Sequence, residues 1–137
     1  MDLKLSQCFV IVHDPDTALS FYRDTLGLEV RNDVANEGFR WITVGAPSQP
    51  AIAIVLTNYL NGSPADLDAV AGLVAKGALP GIHFQTGDLD ATFAKVQAAD
   101  AEIVQEPTEQ FWGTKDFAVR DPSGNMVRVD QPPSALA

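Results

Sequence analysis

The two halves of this chain repeat the same order of sequence features with a shift of 74 to 75 residues. Residues 14–16 (Asp-Pro-Asp) correspond to residues 88–90 (Asp-Leu-Asp), and an amphipathic helical pattern follows each of them. Residues 46–53 correspond to residues 121–128, and both segments begin with a turn that contains Pro-Ser. Few residues are identical, but the order, the spacing and the turn chemistry agree, which predicts two copies of one βαβββ unit.

Two βαβββ units define an α+β fold. We expect them to form a curved mixed sheet with the helices on its outer face and a concave ligand cavity on the other face. The 137 residues suit a single domain, with a first module at about residues 1–60, a connector helix at about 63–77 and a second module at about 79–132.

Local signals predict where the helices and strands begin and end. Asp14 and Ser63 are suited to cap the N-terminus of a helix, and Pro15 and Pro64 suit the first helical position. Gly27 stands where a glycine commonly ends a helix. Alternating or short apolar runs predict strands at residues 5–12, 29–32, 39–44, 51–56, 81–86, 102–105, 116–120 and 126–130.

Charge and cysteine content exclude several classes of function. Eighteen acidic and nine basic side chains give a net charge of −9, which works against binding to nucleic acid or to an anionic membrane surface. Cys8 is the only cysteine, so a disulfide framework is excluded; because it lies in an apolar run, we expect a buried, unreactive thiol. No run of 18 apolar residues occurs, and we expect a cytoplasmic protein.

Two motifs resemble those of a known family. Residues 14–28 read DPDTALSFYRDTLGL, and residues 121–125 read DPSGN. Together with the repeat, they resemble the vicinal oxygen chelate superfamily, which includes glyoxalase I, bleomycin-resistance proteins and extradiol dioxygenases. The resemblance implies paired βαβββ modules that associate further into a homodimer. It does not imply one activity, because members catalyse different reactions or only bind a ligand.

Metal-dependent members of this superfamily take their ligands from cavity-facing positions on the first and last strands of each module. Carried over to this sequence, those positions are Gln7, Gly81, Arg128 and either Ala53 or Val55. The set holds no carboxylate, and Arg128 brings a permanent positive charge where the family has a glutamate. We therefore expect neither a metal nor another cofactor.

His83 leaves an alternative open. It lies two residues after Gly81 and so faces the same side of its strand, where a shifted register would make it a ligand of a divalent metal. With Gln7, Gln85 and Arg128 it is expected to form a polar patch in an otherwise apolar cavity. The predicted ligand-binding residues, with two aromatic side chains added, are Gln7, Trp41, His83, Gln85, Trp112 and Arg128.

Three of these residues, Arg128, His83 and Trp41, also have a purely structural interpretation. Arg128 either anchors an anion or a carbonyl group, or it forms an ion pair with Asp130 or a neighbouring glutamate. His83 either contacts a ligand and transfers a proton, or it is hydrogen-bonded to the backbone or to Gln85. Trp41 is on a strand, where aromatic side chains more often pack in the core.

The sequence supports three functional hypotheses. The first is a protein similar to the bleomycin-resistance proteins, which binds an aromatic or acidic small molecule without metal. The second is a glyoxalase-like lyase or isomerase, in which His83 and Arg128 are the catalytic candidates: His83 moves a proton and Arg128 stabilises an oxyanion. The third is an interaction protein with a vestigial cavity, in which internal carboxylates neutralise Arg128. In each case the loop that contains Trp112 is a candidate rim of the cavity.

Overall fold

The computed structural model describes residues 1–133. The chain divides into two compact units, Met1–Gly72 and a second unit that begins at Leu73, so that the boundary lies inside the predicted connector helix. The first unit holds β1 (Gln7–Ile11), α1 (Pro15–Leu19), β2 (Glu29–Asn36), β3 (Phe39–Gly45) and β4 (Ala53–Thr57), and α2 (Pro64–Ala75) spans the boundary. The second unit holds β5 (Ile82–Gln85), α3 (Leu89–Ala98), β6 (Glu102–Glu109), β7 (Lys115–Arg120) and β8 (Met126–Gln131).

Each unit contains one four-stranded mixed sheet, and the two sheets have the same topology. The strand orders are β1-β4-β3-β2 and β5-β8-β7-β6. The first and last strands of each unit, β1 with β4 and β5 with β8, run parallel, and the other neighbours are antiparallel. The predicted α+β fold with two βαβββ modules is confirmed. The prediction named one mixed sheet, and the structure has two four-stranded sheets, one in each unit.

The helix signals are also confirmed. The Asp14 carboxylate accepts hydrogen bonds from the backbone N–H groups of Asp16 (3.0 Å) and Thr17 (3.4 Å), and Asp88 accepts one from Ala91 N (3.1 Å). Such bonds satisfy N–H groups that have no partner within the helix. The two repeated Asp residues therefore start the helix of each unit in the same way.

The first helix is not α-helical throughout. Ser20–Thr25 continues α1 as a π-helical segment, in which Leu26 N donates to Phe21 O at 3.0 Å. The wider turn accommodates the adjacent buried rings of Phe21 and Tyr22, which pack edge to face with centroids 5.1 Å apart. Gly27, with φ of +80°, then ends the helix at the predicted position.

The strands β2 and β6 extend four residues beyond their predicted ends, to Asn36 and Glu109. Both are edge strands whose outer residues are mostly exposed and polar, so an apolar pattern does not reveal them. Their pairing with β3 and β7 is interrupted by register shifts, and in β6 one shift lies at Pro107, which has no backbone N–H to donate.

The thiol of Cys8 is exposed, so the prediction of a buried cysteine was wrong. The reason is the position of β1 at the edge of its sheet, where only β4 pairs with it. Helix α1 packs on β3 and β4 instead, and the apolar run around Cys8 is left partly in solvent. Among residues 1–133, no helix is long and apolar enough to span a membrane.

The core of the second unit lies on one face of its sheet. Phe117 and Val119 of β7 and Val127 and Val129 of β8 are buried, and the Phe93 ring of α3 lies 5.3 Å from that of Phe117. Side chains alternate between the faces of a strand, so the residues between these positions point away from α3. On this opposite face lie Asp116, Ala118, Arg128 and Asp130.

The turn at residues 121–125 leads directly into β8. Asp121 is buried, and its Oδ1 accepts hydrogen bonds from the backbone N–H groups of Ser123 (2.9 Å), Gly124 (3.0 Å) and Asn125 (2.9 Å). Gly124 has φ of +110°, a conformation that L side chains rarely adopt. The predicted DPSGN turn is thus organised by its first carboxylate.

The corresponding turn of the first unit has Ala46 in place of Asp121 and is held by the opposite charge. The guanidinium of Arg31 donates to the carbonyl oxygens of Ile52 (2.7 Å), Ala46 (3.0 Å) and Gln49 (3.0 Å). The two copies of the repeat therefore stabilise the same turn by different chemistry, which explains why so few of its residues are identical.

Candidate functional site

A cavity of about 430 Å³ lies in the second unit, on the sheet face opposite α3. Strands β5, β6, β7 and β8 and the loop between β6 and β7 supply its side chains. Its lining residues are His83, Gln105, Gln110, Trp112, Thr114, Asp116, Arg128 and Asp130.

At the centre of this cavity, Arg128 and Asp116 form an ion pair. Arg128 Nη1 lies 3.1 Å from Asp116 Oδ2 and also donates to Gln105 Oε1 at 3.1 Å. The other carboxylate oxygen, Asp116 Oδ1, accepts from Gln105 Nε2 (2.7 Å) and Gln110 Nε2 (2.8 Å). Both carboxylate oxygens are therefore satisfied, and the two amides hold the pair in one geometry. The sequence predicted an ion pair with Asp130 or a neighbouring glutamate, but the partner is Asp116.

The environment of Asp116 favours its charged form. Burial raises the pKa of this carboxyl group, but the hydrogen bonds from Gln110 and Gln105 and the charge of Arg128 lower it by more. The net effect places the pKa of Asp116 below its ordinary value. The pair is consequently ionised at neutral pH, and Asp116 compensates the positive charge of Arg128.

Part of Arg128 is still available to a ligand. A guanidinium group has five N–H donors, and the bonds to Asp116 and Gln105 both come from Nη1. Within residues 1–133, the Nε and Nη2 donors have no hydrogen-bond partner, and the side chain is 32% exposed. The ion pair thus orients Arg128 without saturating it.

His83 is brought beside Arg128, as the enzyme hypothesis requires. The two residues are register partners on the parallel strands β5 and β8, and both line the cavity. His83 is exposed, and across residues 1–133 its imidazole makes no hydrogen bond to the backbone or to Gln85. The arrangement leaves both ring nitrogens open to a ligand.

Asp130 adds a second carboxylate to the cavity. It is the register partner of Asp116 on β7, so the two side chains lie on the same face of neighbouring strands. Asp130 is half-buried, and no other side chain among residues 1–133 forms an ion pair or a hydrogen bond with its carboxylate. With His83 neutral, the lining carries two negative charges and one positive charge.

The loop between β6 and β7 forms one side of the cavity. It is closed by hydrogen bonds from Gln110 N to Thr114 O (2.7 Å) and from Gly113 N to Gln110 O (3.0 Å). Trp112 is 58% exposed and lines the cavity, whereas Phe111 is 97% exposed and packs against the Trp112 ring. Because Gln110 also binds Asp116, the ion pair and the loop are joined through one residue.

The other predicted binding residues lie outside this cluster. Gln85 is exposed on β5 and is not among the lining residues. Gln7 and Trp41 belong to the first unit, where Gln7 is exposed on β1 and Trp41 packs against the ring of Tyr59 at 5.3 Å.

Sequence reasoning missed five of the lining residues: Gln105, Gln110, Thr114, Asp116 and Asp130, the last of which it considered only as an ion-pair partner of Arg128. A signal was present for two of them. Gln105 lies two residues after Ile103 on β6, and Asp116 directly precedes the apolar residues 117–119 of β7, so both are polar residues within strand patterns. That they meet Arg128 depends on strand order, which the local pattern does not contain.

The positions that hold a metal in the superfamily do not fit one here. The hydrogen bonds Val12 N to Thr57 O and Thr86 N to Asp130 O are equivalent in the two units, and they make Val55 the counterpart of Arg128. At Gly81, even a Cβ atom would lie 2.3 Å from Met126 O. Across residues 1–133, no three His, Cys, Asp or Glu side chains are grouped so that they could hold a metal ion. The resulting set, Gln7, Val55, Gly81 and Arg128, offers one neutral donor and one cation, which does not suit a divalent ion.

Comparison with known families agrees with the geometry. The model of the Glyoxalase/Bleomycin resistance protein/Dioxygenase superfamily matches residues 4–129. The chain belongs to this superfamily. The match includes both units, and its description covers enzymes as well as resistance proteins, so membership alone does not select an activity.

Individual relatives are similar along nearly their whole length. The uncharacterized protein YurT of Bacillus subtilis is 29% identical over 131 residues, which cover 94% of this chain and 99% of that protein. The crystal structure of UcmS2 is 31% identical, with a TM-score of 0.84 and coverage of 95% and 98%. The crystal structure of TnmS3, an antibiotic binding protein from Streptomyces sp. CB03234, is 27% identical, with a TM-score of 0.72 and coverage of 96% and 97%.

Proposed function

We propose that this protein binds a small organic molecule in the cavity of the second unit, without a metal. The observation that carries the proposal is the arrangement around Arg128. Asp116 and the two glutamines hold the guanidinium in place, and its remaining N–H donors are directed at no protein group within residues 1–133. A preorganised donor beside an open cavity of about 430 Å³ is suited to a carbonyl or other neutral acceptor of a ligand.

The charge of the cavity restricts the chemical class of the ligand. The sequence allowed an aromatic or an acidic molecule, and the acidic one depended on the positive charge of Arg128. Because Asp116 compensates that charge and Asp130 adds a negative one, an anionic ligand gains little and meets repulsion. We infer that the ligand is aromatic and not acidic, with Trp112 as a surface on which its ring stacks.

The similarity to TnmS3 supports a binding function and gives a first set of ligands. TnmS3 is described as an antibiotic binding protein, and 27% identity over 96% of this chain is compatible with a related role. Aromatic antibiotics are therefore the class to screen first.

The test is a thermal-shift screen of uncharged and cationic aromatic antibiotics, followed by calorimetry on those that stabilise the protein. The variant Arg128→Ala should weaken binding about tenfold or more, since it removes the donors and leaves Asp116 without its counter-charge. Arg23→Ala is the matched control, because Arg23 is an exposed arginine of the first unit whose side chain, in the described part of the chain, pairs only with its neighbour Asp24. Unchanged affinity in Arg128→Ala would contradict the proposal.

A lyase or isomerase is the second candidate, and one observation favours it. His83 and Arg128 are register partners in the same cavity, so a proton carrier and an oxyanion-stabilising group are adjacent. Against it, Asp116 offsets the charge that would stabilise an oxyanion. His83→Gln separates the two functions: it should leave ligand binding within about twofold for a binding protein but remove turnover for an enzyme.

The hypothesis of a vestigial cavity predicted that internal carboxylates neutralise Arg128, and Asp116 does so. That ion pair alone does not close the cavity, which remains open beside His83 and Trp112. Failure of every aromatic ligand in the screen, with Arg128→Ala less stable than the control, would favour this third hypothesis, in which the ion pair has only a structural role.

A further inference from the structure

The cavity contains more negative than positive charge, and the excess lies at one residue. Arg128 is the only arginine or lysine among the lining residues, and its ion pair is with Asp116. The nearby Lys115 does not compensate Asp130, because its Nζ lies 3.2 Å from Asp90 Oδ1. The carboxylate of Asp130 thus faces the cavity without a cation from residues 1–133.

The sheet register makes this excess charge costly. Asp116 and Asp130 are direct partners across the antiparallel strands β7 and β8. Side chains at such positions are roughly 5 Å apart at Cβ, and like charges placed opposite one another destabilise the pair of strands. Arg128 relieves the repulsion on one side only. A cationic group between Asp130 and the cavity opening would relieve the rest.

The cavity also holds an aromatic ring suited to a cation. Trp112 lines the cavity and is 58% exposed, and its loop is closed by the Gln110 to Thr114 hydrogen bond of 2.7 Å. The face of an indole ring attracts a cation more strongly than other aromatic rings do. An anionic carboxylate and an indole in one cavity are the two kinds of group that recognise a protonated amine.

We propose that Asp130 and Trp112 form a subsite for a protonated amine of the ligand. This inference rests on the proposed binding function and deepens it: the ligand is an amine-bearing aromatic molecule whose neutral part faces Arg128. The amine ion-pairs with Asp130 and lies against the Trp112 ring. A half-buried ion pair and a cation–π contact together favour the ammonium form by about fivefold to tenfold in affinity.

Three probes with the same ring test the charge preference. They are 1-naphthylmethylamine, its N-acetyl derivative and 1-naphthylacetate, titrated into the full chain at neutral pH and followed by chemical-shift changes in the NMR spectrum. The amine should bind about fivefold to tenfold more tightly than the neutral amide, and the carboxylate should bind most weakly.

Two variants assign the preference to its residues. Asp130→Asn should reduce the ratio of amine to amide affinity to about twofold, which is the part left to the Trp112 ring, and leave the amide affinity unchanged. Trp112→Leu, in an exposed loop, should lower the affinity for the amine and, less strongly, for the amide. Asp100→Asn is the control, because it removes one negative charge from an exposed position that does not line the cavity and should leave the ratio as in the wild type.

A measurement without ligand checks the charge argument and the integrity of the variant. Asp130→Asn removes the repulsion from Asp116, so its urea midpoint should be higher than that of the wild type, whereas that of Asp2→Asn, which removes a charge at an exposed residue outside any helix or strand, should not. A lower midpoint would overturn the view that Asp130 is uncompensated.

The outcomes separate this inference from the proposed function. Equal binding of amine and amide by the wild type, or tighter binding of the carboxylate, would overturn the amine subsite and leave the binding function standing. If none of the three probes binds, the amine subsite fails, and the antibiotic screen with Arg128→Ala decides the binding function separately. Persistence of the full amine preference in Asp130→Asn would exclude Asp130 as its source.

Discussion

Arg128 Nη1 lies 3.1 Å from Asp116 Oδ2 on the neighbouring strand, and the family resemblance assigns the position of Arg128 to a glutamate metal ligand. At that position this chain carries the positively charged guanidinium of Arg128. Asp116, at 6% side-chain exposure, is the more buried partner, and both of its oxygens are occupied. Because of this ion pair, a position expected to hold a metal ligand instead holds a guanidinium group in a fixed orientation.

The first prediction concerns Asp116 and stability. Asp116→Asn keeps the shape of the side chain but removes the charge that pairs with Arg128, and it should lower the free energy of unfolding by about 1–3 kcal/mol at pH 7. Urea denaturation would measure this. The conservative control Asp2→Asn changes the net charge equally at an exposed residue outside any helix or strand and should have little effect.

The same variant predicts a pH dependence. The folded-state pKa of Asp116 is lowered, so its contribution to stability is fully present above the unfolded-state value of about 3.9 and is lost as pH falls through the folded-state value. Between about pH 5 and pH 2, the wild type should therefore lose more stability than Asp116→Asn does. Parallel slopes for the two proteins over this range would show that Asp116 is not linked to the acid transition.

The second prediction concerns metals. The protein purified without added metal should contain far less than one equivalent of zinc, nickel or iron, because the four inherited positions offer one amide and one guanidinium. Addition of Zn²⁺ or Ni²⁺ should leave the thermal midpoint unchanged. Elemental analysis measures the metal content of the purified protein. A stoichiometric metal that is lost in His83→Gln would instead establish a metal site that includes His83, as the shifted register requires.

The third prediction concerns the DPSGN turn. Asp121→Ala leaves three backbone N–H groups of a buried turn without their acceptor, and it should cost about 2 kcal/mol or more of stability. In the first unit, Arg31→Met should destabilise the corresponding turn, since the Arg31 guanidinium donates to four of its carbonyl oxygens. Hydrogen exchange would locate each effect, and protection lost throughout both units in either variant would show that the turns are not locally stabilised.

The fourth prediction is a homodimer, which the family resemblance implies. Sedimentation velocity at micromolar concentration should give about twice the mass of the 14.7 kDa chain. Exposed apolar side chains such as Phe9, Val34 and Ile52 are available for such a contact. A single monomeric species across the concentration range would exclude the dimer.

The candidate site shows which residue positions the local sequence patterns predict and which they do not. The alternation of Arg128 and Asp130 with Val127 and Val129 was enough to place both charged residues on the face away from the core. The same reasoning put His83 on that face, and the parallel pairing of β5 with β8 brings it next to Arg128. Gln7 and Gln85 had equally good patterns but do not line the cavity, because alternation gives a face and not a position along the sheet.

By itself, the sequence determined the features that depend on a few neighbouring residues and on the repeat. These are the Asp caps of the helices, the glycine that ends the first helix, the DPSGN turn and the two βαβββ units, whose causes are backbone dihedrals and hydrogen bonds within a few residues. Only the tertiary structure decided that Asp116 neutralises Arg128, that Asp130 has no cationic partner among residues 1–133 and that Cys8 is exposed. Each of these depends on which strands become neighbours and in what register, and one step in register changes every partner across a sheet.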